Sequence, residues 1–176
     1  MLSIQQVIET LDRMEAEGII ERYAIGGAVG ATFYLEPVAT LDVDVFVAFG
    51  EGSGSLLISP EPIFRYLRSQ GGRVEGEYVH VAGWPVQFLP PTSPLVEEAL
   101  EEAVTVDVQG IPARVFTAEH LAAIALQTGR AKDKARLLQF IESGVLKADR
   151  FQAILAHHGL ADAWHRFAQQ FLADEP

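Results

Sequence analysis

Residues 23–49 read YAIGGAVGATFYLEPVATLDVDVFVAF, and the LDVDVFVAF end of that stretch decides the fold. It is as apolar as a central β-strand, yet it carries Asp42 and Asp44. Residues two apart on a strand project from the same face. The two carboxylates therefore share one face while Leu41, Val43 and Val45 share the other. Neighbouring carboxylates in an apolar setting repel each other and lose hydration, so they stay ionised only with a cation or donors between them. Mg²⁺ or Mn²⁺, with oxygen ligands and substrate phosphates, is the natural counter-charge. Such ions can clamp the attacking and leaving oxygens of a phosphoryl transfer.

Upstream, Gly26 and Gly27 end the strand-like IIERYAI and open the helix-like AVGATFYL. Bare Cα atoms let backbone N–H groups approach a phosphate, and a helix N-terminus favours an anion. Taken alone, an Asp-x-Asp often caps a turn and a Gly-Gly usually marks one. Their succession along strand, helix and strand is the specific signal.

The rest of the chain supplies a frame. Ser3 and Gln6 form a capping box ahead of Ile4, Val7, Leu11 and Met14 at helical spacing, with Gly18 at the end. GEGSGS reads as a flexible loop, and SPEPIFRYLRSQGG as a helix capped by Ser59 with Pro60 first. RVEGEYVHV and WPVQFLP read as two strands joined by Ala82-Gly83, and VTVDVQGIPARVF as a strand pair. From Thr117 the pattern turns helical, with about four segments. The expected layout is an α/β (α+β) half over residues 1–116 and a helical C-terminal segment over 117–176.

Charge and composition narrow the chemistry. The net charge of -11 disfavours non-specific binding to a phosphate backbone, which needs a basic surface. The absence of cysteine removes disulfides, thiolate metal sites and thiol nucleophiles. The start MLSIQQVIETLDRMEAEG lacks a basic region followed by an apolar one, so no signal peptide is expected. No apolar run is long enough for a membrane span, and a soluble cytoplasmic protein is the expectation.

IGGAVGATFYLEPVATLDVDVFV resembles the signature of the polymerase-β-like nucleotidyltransferase superfamily, Gly-Gly or Gly-Ser followed by Asp-x-Asp on the next strand. Thr40 matches the Thr-x-Asp-x-Asp variant of bacterial AbiEii-like toxin nucleotidyltransferases and related minimal families. FTAEHLAAIALQTGRAKDKARLLQFI is similar to the helical segment of those families, with its Arg-x-Lys-Asp. The resemblance implies a mixed palm sheet with flanking helices, divalent metal and transfer of a nucleotide from an NTP. It implies Asp42 and Asp44 as metal ligands and catalytic carboxylates. Gly26, Gly27, Thr40, Arg130 and Lys132 become nucleotide-binding residues, with Asp133 orienting one of the cations.

The match departs at three positions. The third carboxylate is expected on GWPVQFLPP, where Gln87 stands; an amide can coordinate a metal but cannot act as a general base. Ala125 occupies the place of the lysine in a Lys-Leu pair, and Val38 lies where an arginine often precedes the acidic motif. Asp107 suits a turn better than a third acid, and Glu75 and Glu77 lie in the wrong context. Three classes stay open. The first is an active transferase acting on an RNA or protein acceptor. The second is a degraded member binding a nucleotide or protein partner, as in a toxin–antitoxin system. The third is an oligomerising structural domain. Taken alone, the Arg130–Asp133 cluster reads as a solvated helix start with local ion pairs.

Other residues carry less. His157 and His158 are adjacent, so both rings cannot face one metal from a regular helix; they read as a helix end near Gly159. His80 and His165 read as a strand end and as packing beside Trp164. Trp84 packs under the sheet or borders a base pocket. Ser53 and Ser55 have no histidine partner in a sensible order, and GGAVGA has neither a P-loop Lys-Ser/Thr nor a full G-x-G-x-x-G.

Overall fold

The computed structural model describes residues 3–36, 42–48 and 59–172. In chain order the elements are α1 (Ile4–Ala16), β1 (Arg22–Ile25), α2 (Gly27–Ala31), β2 (Val43–Ala48), α3 (Glu61–Ser69), β3 (Arg73–Glu75), β4 (Tyr78–Val81), β5 (Trp84–Leu89), α4 (Pro94–Glu101), β6 (Val104–Val108), β7 (Ile111–Val115), α5 (Ala118–Thr128), α6 (Ala131–Ser143), α7 (Ala148–His157) and α8 (Ala161–Phe171). Among the described residues the strands form one sheet in the order β3-β4-β5-β2-β1-β7-β6. The β2/β5 and β1/β7 pairs are parallel and the others antiparallel, so the sheet is mixed.

Alternation along β2 builds two cores. Val43, Val45 and Val47 are fully buried against α1 and α3, where they meet Ile8, Leu11, Ile63 and Leu67. Phe46 and Ala48 point the other way, onto the cluster of α4 to α8 that includes Leu121, Leu137 and Phe151. Asp44 sits on this second face. Sheet and C-terminal helices share that cluster, since Ala24 and Phe116 belong to it.

The ends of the elements follow local chemistry. Ser3 caps α1, its hydroxyl accepting the Gln6 N–H, and Thr117 caps α5 through the His120 N–H. Gly129 and Gly144 end α5 and α6 in the left-handed conformation.

Four expectations need correction. The helix after the Gly-rich loop starts at Glu61, with Pro60 as its cap residue; Ser59 still accepts the Glu61 N–H at 3.3 Å. RVEGEYVHV is a hairpin of two strands, folded at Gly76-Glu77 with Gly76 at φ +61°. Helix α4 is not among the predicted elements, although Ser93 caps it through Val96 and Pro94 opens it. Asp42 lies immediately before β2, whose first residue is Val43. The GEGSGS loop, Thr40, Val38 and Leu41 lie outside the described residues. Among the described residues no helix is long and apolar enough to cross a membrane.

Candidate functional site

Asp44 is the centre of the site. Its neighbour across the parallel β2/β5 pair is Gln87, whose own neighbour across β4/β5 is Tyr78. Register partners share a face, so Tyr78, Gln87 and Asp44 form one rung on the site side of the sheet. Trp84, Val86 and Phe88 take the alternate positions of β5 and pack into the opposite core. This places Trp84 away from the site and removes the base-pocket reading.

Beside the rung lies a cavity of about 260 Å³, lined by Gly27, Asp44 and Gln87 on one side and Ala125, Arg130 and Arg136 on the other. Its apolar wall includes Phe46 and Phe116, whose rings stand 4.9 Å apart. The Tyr34 hydroxyl donates to the Phe116 carbonyl at 2.8 Å and ties that wall to the end of α2.

The two glycines do different things. Gly27 has φ +59°, and a Cβ there would fall onto Asp44 Oδ2, with Asp44 Cγ only 3.1 Å away. The carboxylate therefore lies directly on the bare Cα, a position that only glycine allows. A Cβ on Gly26 would strike Phe46 at 2.7 Å and Phe116 at 3.0 Å, and its N–H already donates to the Asp44 carbonyl at 3.0 Å. The expectation that the Gly26 N–H cradles a phosphate therefore meets a backbone donor already in use.

Burial raises the Asp44 carboxyl above the ordinary carboxylate range, and the charge of Asp42 pushes it the same way. Lys132, Arg136 and Arg130 oppose this in that order without cancelling it. Asp42 is half-buried and accepts a hydrogen bond from the Tyr78 hydroxyl. Its negative charge, more than burial, raises that hydroxyl above the usual tyrosine value. Asp42 borders a second, open groove with Tyr78, His80 and Pro85.

The cations arrive from α6. Arg130 caps that helix, and buried Asp133 in its first turn accepts from Arg130 Nε at 2.6 Å and from the Arg130 N–H at 3.3 Å. Arg136 lies 3.9 Å from the other oxygen of Asp133. Asp133 thus holds Arg130 and, more loosely, Arg136 at the cavity. Its hydrogen bond is the first cause that raises the Arg130 guanidinium further, with burial opposing and Asp44 contributing. Lys132 is exposed.

The structure gathers Asp44, Gly27, Gln87, Arg130 and Arg136 around one cavity, with Asp42 and Lys132 close enough to act on Asp44 electrostatically. Arg136 is missing from the sequence reading, although it follows Asp133 by three residues, a spacing that puts both on one helix face. Tyr78 is missing too, and Glu77, set aside there for its context, lies against Gln87. Gln87 Nε2 donates to Glu77 Oε2 at 3.1 Å, because the Gly76-Glu77 turn folds that residue toward β5. Asp107 caps its own turn, accepting the Gly110 N–H at 3.1 Å on the far edge strand. His80 pairs with Glu75 at 3.1 Å.

Helix α7 ends at His157, and His158 is the residue after it. The break from regular helix frees the two rings to stand edge to face, 4.7 Å apart. This is the helix end expected near Gly159; His158 hydrogen-bonds to Glu98, and one ligand atom from each of Glu98, His157 and His158 lies within 4.8 Å of the others.

A mixed sheet carrying an acidic strand beside a Gly-Gly helix start, closed by cationic helices, is the nucleotidyltransferase fold, and solved structures bear this out. A nucleotidyltransferase-like antigenic protein from Paracoccidioides brasiliensis superposes with a TM-score of 0.61 at 16% identity, over 89% of this chain and 88% of that one. ANT(2")-Ia in complex with adenylyl-2"-tobramycin superposes with a TM-score of 0.55 at 16% identity, over 88% and 95%. The solution structure of the antibiotic-resistance factor ANT(2'')-Ia gives 0.54 at 15%, over 94% of each chain. No family model matches the chain, and no curated protein matches it. The superfamily resemblance in the sequence thus has a fold to match.

Proposed function

We propose that the protein transfers a nucleotide from an NTP to an acceptor hydroxyl, with residues 1–116 as the transferase part and residues 117–176 supplying its cations. The observation that carries this reading is the Asp44 carboxylate lying on bare Gly27, across the cavity from Arg130 and Arg136. The donor set suits Mg²⁺ or Mn²⁺. Two carboxylates two residues apart offer hard oxygens, and the Asp44 carboxyl is raised first by burial and then by the charge of Asp42, both of which a bound cation would offset. When bound at Asp42 and Asp44, the ion would neutralise phosphate charge in an in-line displacement. Arg130 and Lys132, with Arg136, hold the triphosphate, and Asp133 fixes the fork of Arg130. Gly27 leaves room at the helix start. Thr40 is carried by the resemblance alone.

Deprotonating the acceptor is the weak point. Gln87 stands beside Asp44, and its amide is held by Glu77. This favours the second reading, a nucleotide- or partner-binding module with diminished turnover, in a toxin–antitoxin setting or another. The test is incubation with each labelled NTP and Mg²⁺ or Mn²⁺, with RNA, protein and tobramycin as acceptors. Tobramycin is included because it stands adenylylated in one of the similar structures. Label transfer that Asp44→Asn abolishes supports the transferase. Metal-dependent NTP binding without transfer supports the module, and the absence of both binding and transfer overturns both readings.

A further inference from the structure

Outside the Asp44 cavity, α4 and the C-terminal end of α7 meet over a cluster that the transferase reading leaves unused. Glu98 Oε2 accepts from His158 Nε2 at 2.9 Å and from His120 Nε2 at 3.0 Å. His120 is fully buried, and its other ring nitrogen shares a 2.7 Å hydrogen bond with Thr117 Oγ1. Ligand atoms of Glu98, His157 and His158 all lie within 4.8 Å of one another. Beside them opens a groove of about 510 Å³, lined by Glu98, His157, Ala153 and Ile154 among others.

We propose that Glu98, His157 and His158 form a binding site for a zinc-class transition-metal ion that staples α4 to the end of α7. Two imidazoles and one carboxylate are a donor set that Zn²⁺ accepts and Mg²⁺ does not favour. Three protein ligands leave a fourth position, and the groove gives it access to water. The site lies at a helix C-terminus, where the backbone dipole favours a cation. His120 serves as the outer partner that orients Glu98, as second-layer groups do in metal sites. Ligation through Nε2 takes the His158 ring in its neutral form with the hydrogen on Nδ1, so a protonated ring gives up one proton on binding.

A neighbouring set, Glu98, Glu102 and His120, is closely grouped too. Arg150 lies 3.1 Å from Glu102 and already supplies the cation there. The site with two accessible histidines is therefore the one assigned. It shares no residue with the Asp44 cavity and does not depend on nucleotide transfer.

Zn²⁺ alone is titrated calorimetrically into the full chain after chelator treatment, with Co²⁺ absorption as a second readout. The wild type and Asp44→Asn should each bind one ion with a rise in Tm. Loss of even an outer partner costs a metal site about tenfold or more. His157→Ala, an exposed position, should thus weaken Zn²⁺ by at least about tenfold with its metal-free Tm unchanged. His158→Gln should weaken Zn²⁺ likewise and reduce the nitrogen-ligand signature of Co²⁺, with some loss of metal-free Tm from the missing hydrogen bond to Glu98. Absence of binding to the wild type overturns the site. So does equal affinity in His157→Ala, or loss of the ion in Asp44→Asn.

Discussion

Strand β2 faces two ways, and its two sides obey different rules. Val43, Val45 and Val47 are sealed against α1 and α3. One residue over, Asp44 is half-buried against a cavity, lies on a glycine and carries a carboxyl raised by burial and by Asp42. The first side is what a sequence uses to be stable. The second keeps an unfavourable charge at the centre of the sheet, which a fold alone does not require. A group that costs stability and sits in a cleft is the mark of a site built for a ligand.

Substitutions one residue apart should therefore differ in sign. Val45→Ala removes two buried methyl groups and leaves a cavity, so it should cost roughly 2 kcal/mol in a urea melt. A loss within a few tenths of zero would mean that this core is not packed as described. Gly27→Ala should come next, at about 1–2 kcal/mol, because it adds left-handed strain and drives a methyl into Asp44. Pairing it with Asp44→Ala sharpens the point. If the carboxylate is the obstacle, the double variant should recover part of the loss, and strict additivity would contradict the contact.

Glu98 is the reverse case, a charge on the helical side that its surroundings compensate. Burial would raise its carboxyl, but the hydrogen bonds and charges of His120 and His158 outweigh burial and hold it below the ordinary value. A depressed carboxyl contributes stability above its unfolded value of about 4.5, and that contribution is lost as pH falls through the folded value. In chelator, Glu98→Gln should lower stability at neutral pH by about 1 kcal/mol, discounted for partial exposure. The gap from wild type should close below pH 4.5. A gap constant across that range would mean that the pairing is not electrostatic.

The smallest expected effect has the opposite sign. The folded Asp44 carboxyl is raised above 3.8, so the folded state binds the extra proton and stability falls as pH rises through that window. Without ligand, Asp44→Asn should raise Tm slightly at neutral pH and leave it unchanged below pH 3.8. A lowered Tm at neutral pH would place a compensating cation or donor at Asp44 in the free protein.

What could be read from the residues was local. Period two along LDVDVFVAF puts Asp44 opposite the valines, and Ser3 and Thr117 announce their helices. The four C-terminal helices follow from apolar spacing. Helix α4 was legible through Ser93-Pro94 and the Leu95, Val96, Ala99, Leu100 stripe, which the surrounding prolines disguise. The closeness of Gln87 to Asp44 followed from expecting the third acid position on GWPVQFLPP. Other features depend on tertiary geometry that no window contains. Arg136 reaches the cavity only because α6 packs beside α5, and Glu77 reaches Gln87 only through a tight turn. The helix end at His157 and His158 was legible from Gly159, but their approach to Glu98 on α4 depends on tertiary packing.

The central claim is that the Asp44 cavity holds a metal-bound nucleotide. Calorimetric titration of each NTP with Mg²⁺ into wild type and Asp44→Asn tests it most directly, because the amide keeps the shape at Gly27 and removes only the charge. At least one NTP should bind the wild type only when Mg²⁺ is present, and Asp44→Asn should lose that binding while staying folded. Equal affinity in the two proteins, or no binding of any NTP to the wild type, would contradict the claim.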